Sequence, residues 1–217
     1  MRCFRTSDFV ILPMKPPPAN WRADIQRFIR VEAKPTDKFS HQPRLYALCR
    51  AVGEGLAYDD EVVFASAWLH DLGVFIGHRP EDPTALAKWD NVAYACRRAP
   101  ELLAQFGFPA AKIPAVAAAI SQHLPASEPA SLEARILRDA DILEQLGAAG
   151  ILRTVSKVGR DTRFVTFADA LRTLRRNLDV LPGQLRLARA VALAAPRIAA
   201  LRAFLEQAEA EAGDELW

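Results

Sequence analysis

Cysteine is scarce in this chain, which contains only Cys3, Cys49 and Cys96 among its 217 residues. None of them belongs to a C-x-x-C pair, and the last two lie in apolar stretches with helical spacing. This usage excludes a disulfide scaffold and favours free thiols in a reducing compartment. We therefore expect a cytoplasmic protein.

The chain also lacks an excess of one charge and a long apolar run. Its 28 basic and 26 acidic residues leave a formal net charge of +2, too little to indicate nucleic acid as the main partner. No apolar run approaches the roughly 20 residues that span a bilayer, so we expect no membrane insertion. A hydrophobic content of 51% is instead typical of one globular domain with its own core.

Apolar residues recur at helical spacing, and no run alternates with the strict period of two that strands show. Residues 1–20 contain Pro16, Pro17 and Pro18, which favour an extended tail. Residues 21–217 are predicted to form a single all-α domain of eight to ten helices. The expected helices cover 21–33, 41–57, 60–72, 84–106 with a break at Pro100, 110–123, 132–147, 165–180 and 184–212. The last is predicted to pack on the body of the domain or on a second subunit of a homodimer.

Histidine is rare as well, so each of the four histidines can be weighed separately. His41 begins a predicted helix, and the adjacent pair His70 and Asp71 ends another just before Gly73. Successive helical residues point about 100° apart, so such a pair converges on one ion only beyond a helix end. A lone histidine is usually a surface or core residue. Two imidazoles and two carboxylates together are able to bind one divalent metal.

Two short motifs place these residues in a known pattern. The chain reads LHDLG at 69–73 and, further on, ADIL at 140–143, with His41 preceding both. This order resembles the HD-domain superfamily of metal-dependent phosphohydrolases. The segment DADILEQLGAAGILR at 139–153 is similar to a DADRLDALGAIGIAR stretch in a bacterial subgroup of that superfamily. The resemblance covers roughly residues 35–210 and implies a metal site formed by His41, His70, Asp71 and Asp141.

Two carboxylates compete for the last ligand position. Helical periodicity alone does not select between them, because Asp139 lies nearer the apolar stripe and Asp141 has small neighbours. The resemblance favours Asp141 as the ligand. It leaves Asp139 and Glu144 as partners that hold the ligands in place through hydrogen bonds.

His123 has three possible roles, which the sequence leaves open. Some HD proteins bind two metals and use two further histidines between the pair and the last aspartate. His123 falls near the second of these positions, but Arg97 and Arg98 occupy the region of the first, and His78 is too close to the pair. One metal is therefore expected. His123 is then a substrate or water contact, an additional ligand or a structural residue.

The resemblance implies hydrolysis of a phosphate ester or anhydride, with a nucleotide as the expected substrate. Asp71 or Asp141 would orient a water activated by the ion, and His123 would contact it or the substrate. Mixed nitrogen and oxygen ligation suits Mn²⁺, Fe²⁺, Co²⁺, Ni²⁺ or Zn²⁺ better than Mg²⁺. The cations expected to contact phosphate are Arg44, Arg97, Arg153 and Lys157.

Several departures from the subgroup patterns keep two other functions open. Val74 and Phe75 stand where (p)ppGpp hydrolase and deoxynucleotide phosphatase relatives carry acids. Val74 also replaces the lysine of cyclic-di-GMP phosphodiesterase relatives, and Ala170 replaces a lysine of the resembling subgroup. The alternatives are a non-catalytic metal-binding module and an HD-fold di-iron oxygenase, which would need a second metal.

Overall fold

The computed structural model describes residues 20–161 and 163–212. This part of the chain is helical and contains ten α-helices, short 3₁₀ turns and no strand, which confirms the predicted all-α class. The predicted tail lies outside the described residues except for Asn20, which caps the first helix by accepting from the Ala23 N–H. The helices are α1 (Trp21–Glu32), α2 (His41–Val52), α3 (Asp60–Leu69), α4 (Pro83–Ala87), α5 (Asn91–Gln105), α6 (Ile113–Ser121), α7 (Leu132–Gln145), α8 (Gly147–Val155), α9 (Phe167–Val180) and α10 (Ala188–Ala212).

The third helix is the centre of the domain because it is apolar on every side. All residues from 62 to 69 are buried, as expected for a helix without a polar face. Val63 and Ala67 pack into a core shared with α2, α7, α9 and α10. Phe64 and Trp68 pack into a second core shared with α1, α5 and α6. Packing on both sides fixes the end of α3, where the His-Asp pair follows.

The longest helix, α10, packs on the body of the domain. Its inward residues Ala190, Ala194, Leu201 and Leu205 are buried in the core that contains α2 and α7. Pro196 lies inside α10 without ending it. None of the described helices is both long and apolar enough to cross a bilayer.

The predicted break at Pro100 is misplaced, and the helix predicted over 41–57 ends already at Val52. Pro100 lies within α5 and does not break it, because burial of Ala99, Leu102 and Leu103 outweighs the loss of one backbone hydrogen bond. The break falls earlier, where Asp90 caps α5 by accepting from the Ala93 N–H.

The eighth helix was not predicted as an element of its own. Only Leu146 separates α7 from α8, and Gly147 turns the chain with a φ of +72°, which favours glycine. At Gly150 a Cβ atom would lie 2.3 Å from the carbonyl oxygen of Gln145, so α8 comes close to the end of α7. This tight corner places the last residue of α7, Gln145, against Gly150 in the first half of α8.

Gly150→Ala is expected to destabilise the protein by about 1–3 kcal/mol, because the new methyl group meets a backbone carbonyl that has no room to move. This penalty exceeds the gain of about 1 kcal/mol that alanine brings to a helix. Urea denaturation measures the difference. Gly183→Ala is the control, since nothing lies within 4 Å of its added Cβ. Equal stability of the two variants would contradict the close packing of α7 and α8.

Candidate metal centre

Three helix ends converge on the candidate centre. His41 is the first residue of α2, His70 and Asp71 directly follow α3, and Asp141 lies in the second half of α7. Gly73 permits this arrangement, because a Cβ there would lie 2.5 Å from the Asn91 carbonyl oxygen at the start of α5. The first turn of α5 therefore packs directly behind the His-Asp pair.

The four predicted ligands meet around His41 Nε2. This atom lies 3.3 Å from His70 Nε2, 3.6 Å from an Asp71 carboxylate oxygen and 3.6 Å from Asp141 Oδ1. His70 Nε2 lies 3.5 Å from the other Asp71 oxygen. His41, His70 and Asp71 each place one donor atom within 4.8 Å of the others, and Asp141 joins them through His41.

Hydrogen bonds fix the tautomers of the two imidazoles. His70 Nδ1 lies 3.0 Å from the Ala67 carbonyl oxygen, and His41 Nδ1 lies 3.2 Å from a Glu144 carboxylate oxygen. Both partners are acceptors, so each Nδ1 carries a proton and donates. The two Nε2 atoms therefore face each other with lone pairs, an arrangement that a cation between them would stabilise.

The donor set fits a divalent transition metal. Ligand atoms about 2.1 Å from a common ion lie roughly 3.0–3.5 Å apart, close to the separations found here. Burial lowers the pKa of His41, despite its hydrogen bond with Glu144, and so favours the neutral imidazole that a metal needs. Burial raises the pKa of Asp71, but the positive potential around the carboxylate, to which Arg153 contributes, prevails and holds this pKa below its ordinary value.

Glu144 is a buried carboxylate that joins the centre to its surroundings. It accepts from His41, from Arg44 at 3.1 Å and 3.3 Å, and from Arg153 at 3.3 Å. Burial raises its pKa, but the hydrogen bonds from His41 and Arg44 prevail and lower it. The structure thus places Glu144 behind His41, as a hydrogen-bond partner of one predicted ligand.

His123 lies beside the centre without belonging to the tightest group. Its ring is 5.0 Å from that of His70, centroid to centroid, and its Nδ1 lies 2.6 Å from the Ile120 carbonyl oxygen. Burial and the neighbouring His70 lower its pKa. His123 is therefore a neutral imidazole that packs against a predicted ligand.

Asp139 and His78 lie among other partners. Asp139 is two residues before Asp141 and so on another side of α7, where it accepts from Arg138 and from the backbone N–H groups of Arg186 and Leu187. These contacts attach the start of α10 to α7 in place of the predicted contact with a ligand. The two ring nitrogens of His78 lie 2.9 Å from oxygens of Tyr94 and Glu32.

A cavity of about 240 Å³ opens beside the centre, and His41 and Asp71 contribute to its wall. Basic side chains dominate the rest of the lining. They are Lys38, Arg44, Arg79, Arg153, Lys157 and Arg160, opposed in that wall by the carboxylates of Asp71 and Asp161. So many cations around one small cavity favour an anionic ligand with several charges.

Lys157 is a partly buried cation with a lowered pKa. Burial, together with Lys38, Arg153 and Arg163 nearby, lowers its pKa to about 8. Repulsion among like charges is unfavourable in the absence of a ligand, and an anion between them would relieve it.

The structure brings three of the predicted phosphate contacts to the cavity but not the fourth. Arg44, Arg153 and Lys157 line it, whereas Arg97 is exposed on α5 and outside its lining. Sequence reasoning missed Lys38, Arg79 and Arg160. A signal for Arg160 exists, because residues 153, 157 and 160 are spaced as on one face of a helix.

The fold and the site together define an all-α domain with a buried His/Asp centre at three helix ends. Residues 39–146, which include all four predicted ligands, match the HD domain family. This chain therefore belongs to the HD-domain superfamily. No curated protein matches it significantly.

Solved structures extend this likeness beyond the matched residues. Bacillus subtilis YpgQ in complex with ADP is 20% identical, with a TM-score of 0.68 over 89% of this chain and 96% of that one. An HD-superfamily hydrolase from Bacillus thuringiensis is 18% identical, with a TM-score of 0.64 over 88% and 95%. A predicted HD superfamily hydrolase from an uncultured Thermotogales bacterium is 24% identical, with a TM-score of 0.61 over 88% and 92%. At these identities the likeness establishes the fold.

We expect the purified protein to bind one divalent transition metal ion per chain, and Asp141→Ala to weaken this binding by a factor of about 10 or more. Asp139→Asn is the matched control, since its partners are the start of α10. It is expected to lower stability and keep the metal. Elemental analysis measures the metal content of each protein, and calorimetric titration with Mn²⁺ measures its metal affinity. Loss of metal in Asp139→Asn but not in Asp141→Ala would show that the wrong carboxylate has been assigned.

Proposed function

We propose that this protein is a metal-dependent hydrolase of phosphoanhydrides or phosphate esters, with a nucleotide as substrate. One observation carries the proposal: His41 and Asp71 of the candidate centre line the same cavity as six basic side chains. A hydrolytic site needs both parts next to each other, because the attacking water and the phosphoryl charge must meet.

The fit of the donor set supports a divalent ion held by His41, His70, Asp71 and Asp141. When bound, such an ion polarises a phosphoryl oxygen and acidifies a coordinated water. Asp71 lines the cavity and is held ionised, so it can accept a hydrogen bond from the attacking water and orient it. Arg44 and Arg153 line the same cavity and would stabilise the charge that develops on the phosphoryl group.

The number of basic side chains favours a substrate with more than one phosphoryl group. A monophosphate carries about two negative charges at neutral pH, fewer than the positive charges that surround this cavity. The complex of YpgQ with ADP gives a related fold that binds a nucleoside diphosphate. We therefore infer a nucleoside di- or triphosphate as the substrate class.

A direct assay compares nucleoside mono-, di- and triphosphates with Mn²⁺ and follows release of phosphate or pyrophosphate. We expect turnover of the anhydrides and a loss of roughly a thousandfold in His70→Ala, because a Lewis acid contributes several kcal/mol. Arg176→Gln is the control, since Arg176 is exposed on α9 and outside the cavity lining.

Other results of this assay have definite meanings. A protein that binds one metal ion but turns over no phosphate compound would contradict the proposal and leave a non-catalytic metal-binding module. Two metal ions per chain would favour the di-iron oxygenase alternative and would place His123 among the metal ligands.

The substrate KM is expected to rise by about threefold to tenfold between pH 7 and pH 9. The pKa of Lys157 is about 8, so its ammonium loses the proton within this range and one charged hydrogen bond to phosphate is lost. Lys157→Arg should show a smaller rise, because a guanidinium keeps its charge. Steady-state kinetics of both proteins are measured across this range. Titration of the substrate and of the metal centre affects both proteins equally, so it cancels in the comparison. Identical pH profiles would mean that Lys157 does not contact the substrate.

A further inference from the structure

Glu144 lies between the metal centre and the basic wall of the cavity, and it contacts both. Its side chain is only 2% exposed. One of its oxygens accepts from His41, from Arg44 and from Arg153 at distances of 3.1 to 3.3 Å. The three partners come from two helices, α2 and α8, so a single carboxylate links elements that are distant in sequence.

The contact with His41 fixes how this imidazole faces the centre. Because the carboxylate accepts the Nδ1 proton, the ring presents its Nε2 lone pair to His70, Asp71 and Asp141. A carboxylate behind a metal-binding histidine orients the ring and raises its basicity. Glu144 therefore favours metal binding.

Whereas the contact with His41 favours metal binding, the contacts with the two arginines disfavour the binding of an anion. The Arg44 and Arg153 side chains are 41% and 31% exposed and line the cavity. A guanidinium has five N–H groups, and Glu144 engages two of those of Arg44 and one of Arg153. Its negative charge also offsets part of the positive potential that a phosphate would meet.

We propose that Glu144 is a positioning residue with opposite effects on the two ligands: it strengthens metal binding through His41 and weakens phosphate binding by restraining Arg44 and Arg153. The proposal rests on the proposed function for the identity of the ligands. It concerns binding alone, so it is tested without turnover. A purely structural role would weaken both kinds of binding together.

The first arm of the test titrates Glu144→Gln with Mn²⁺ alone. The amide keeps the shape of the side chain but removes its charge, and we expect Mn²⁺ to bind about 10 to 100 times more weakly. Glu206→Gln, an exposed site on α10, makes the same change in net charge and should bind Mn²⁺ as the wild type does. Circular dichroism verifies that each variant is folded.

The second arm titrates the metal-free proteins with inorganic pyrophosphate. Loss of the carboxylate leaves one more unit of positive charge beside the cavity, and we expect Glu144→Gln to bind pyrophosphate several-fold more tightly than the wild type. Arg153→Gln should bind it more weakly and keep its affinity for Mn²⁺. Pyrophosphate binding that is unchanged or weaker in Glu144→Gln would overturn the proposal.

Glu144→Asp separates orientation from charge and covers the case in which Glu144→Gln does not fold. The shorter side chain keeps the negative charge but withdraws the shared oxygen from His41 and from both arginines. We expect weaker Mn²⁺ binding and a smaller gain for pyrophosphate than in Glu144→Gln, because the negative charge remains beside the cavity. Wild-type affinity for Mn²⁺ in this variant would refute the role assigned to the His41 contact. Failure of catalysis in the wild type would leave these binding results intact, so the two proposals are tested separately.

Discussion

The site depends on two imidazole nitrogens that face each other inside the protein. His41 Nε2 and His70 Nε2 are 3.3 Å apart, and the Nδ1 atom of each ring is bonded to an acceptor. This arrangement is favourable only when positive charge lies nearby, and it requires three helix ends to be held accurately. Burial of α3 on both sides provides this accuracy for His70 and Asp71, because the helix cannot shift without disturbing both cores.

Carboxylates and cations are distributed differently around these two histidines. The carboxylates of Asp141 and Glu144 are buried, whereas Asp71 is partly exposed and lines the cavity together with most of the cations. A divalent ion would neutralise the carboxylates and an anion the cations. Burying like charges close together is unfavourable, so a bound cation and a bound anion would each stabilise this arrangement.

Much of the fold could be predicted from local signals, and the site only from motifs. Helix periodicity and caps such as Asp59 before α3 mark most elements. The order of His41, the His-Asp pair and Asp141 identified residues that the structure brings together, although about a hundred positions separate the first from the last. The separate helix α8 was missed, because its limits depend on the close approach of Gly150 to Gln145 and not on its own periodicity. The cations from distant loops, such as Lys38 and Arg79, share a cavity only through tertiary packing.

The attachment of α8 has a consequence for how such a protein can change over time. Its buried residues are Gly147, Gly150 and Thr154, so it contributes little to the cores, while its cavity-facing side and the following turn carry Arg153, Lys157 and Arg160. Substitution of the exposed Arg160 is able to alter what the cavity recognises with a small effect on stability, whereas Arg153 also contacts the buried Glu144. The ligand-bearing ends of α2, α3 and α7 stay fixed meanwhile. The outer part of the cavity can therefore change while the candidate metal centre is kept, as expected when one fold carries different functions.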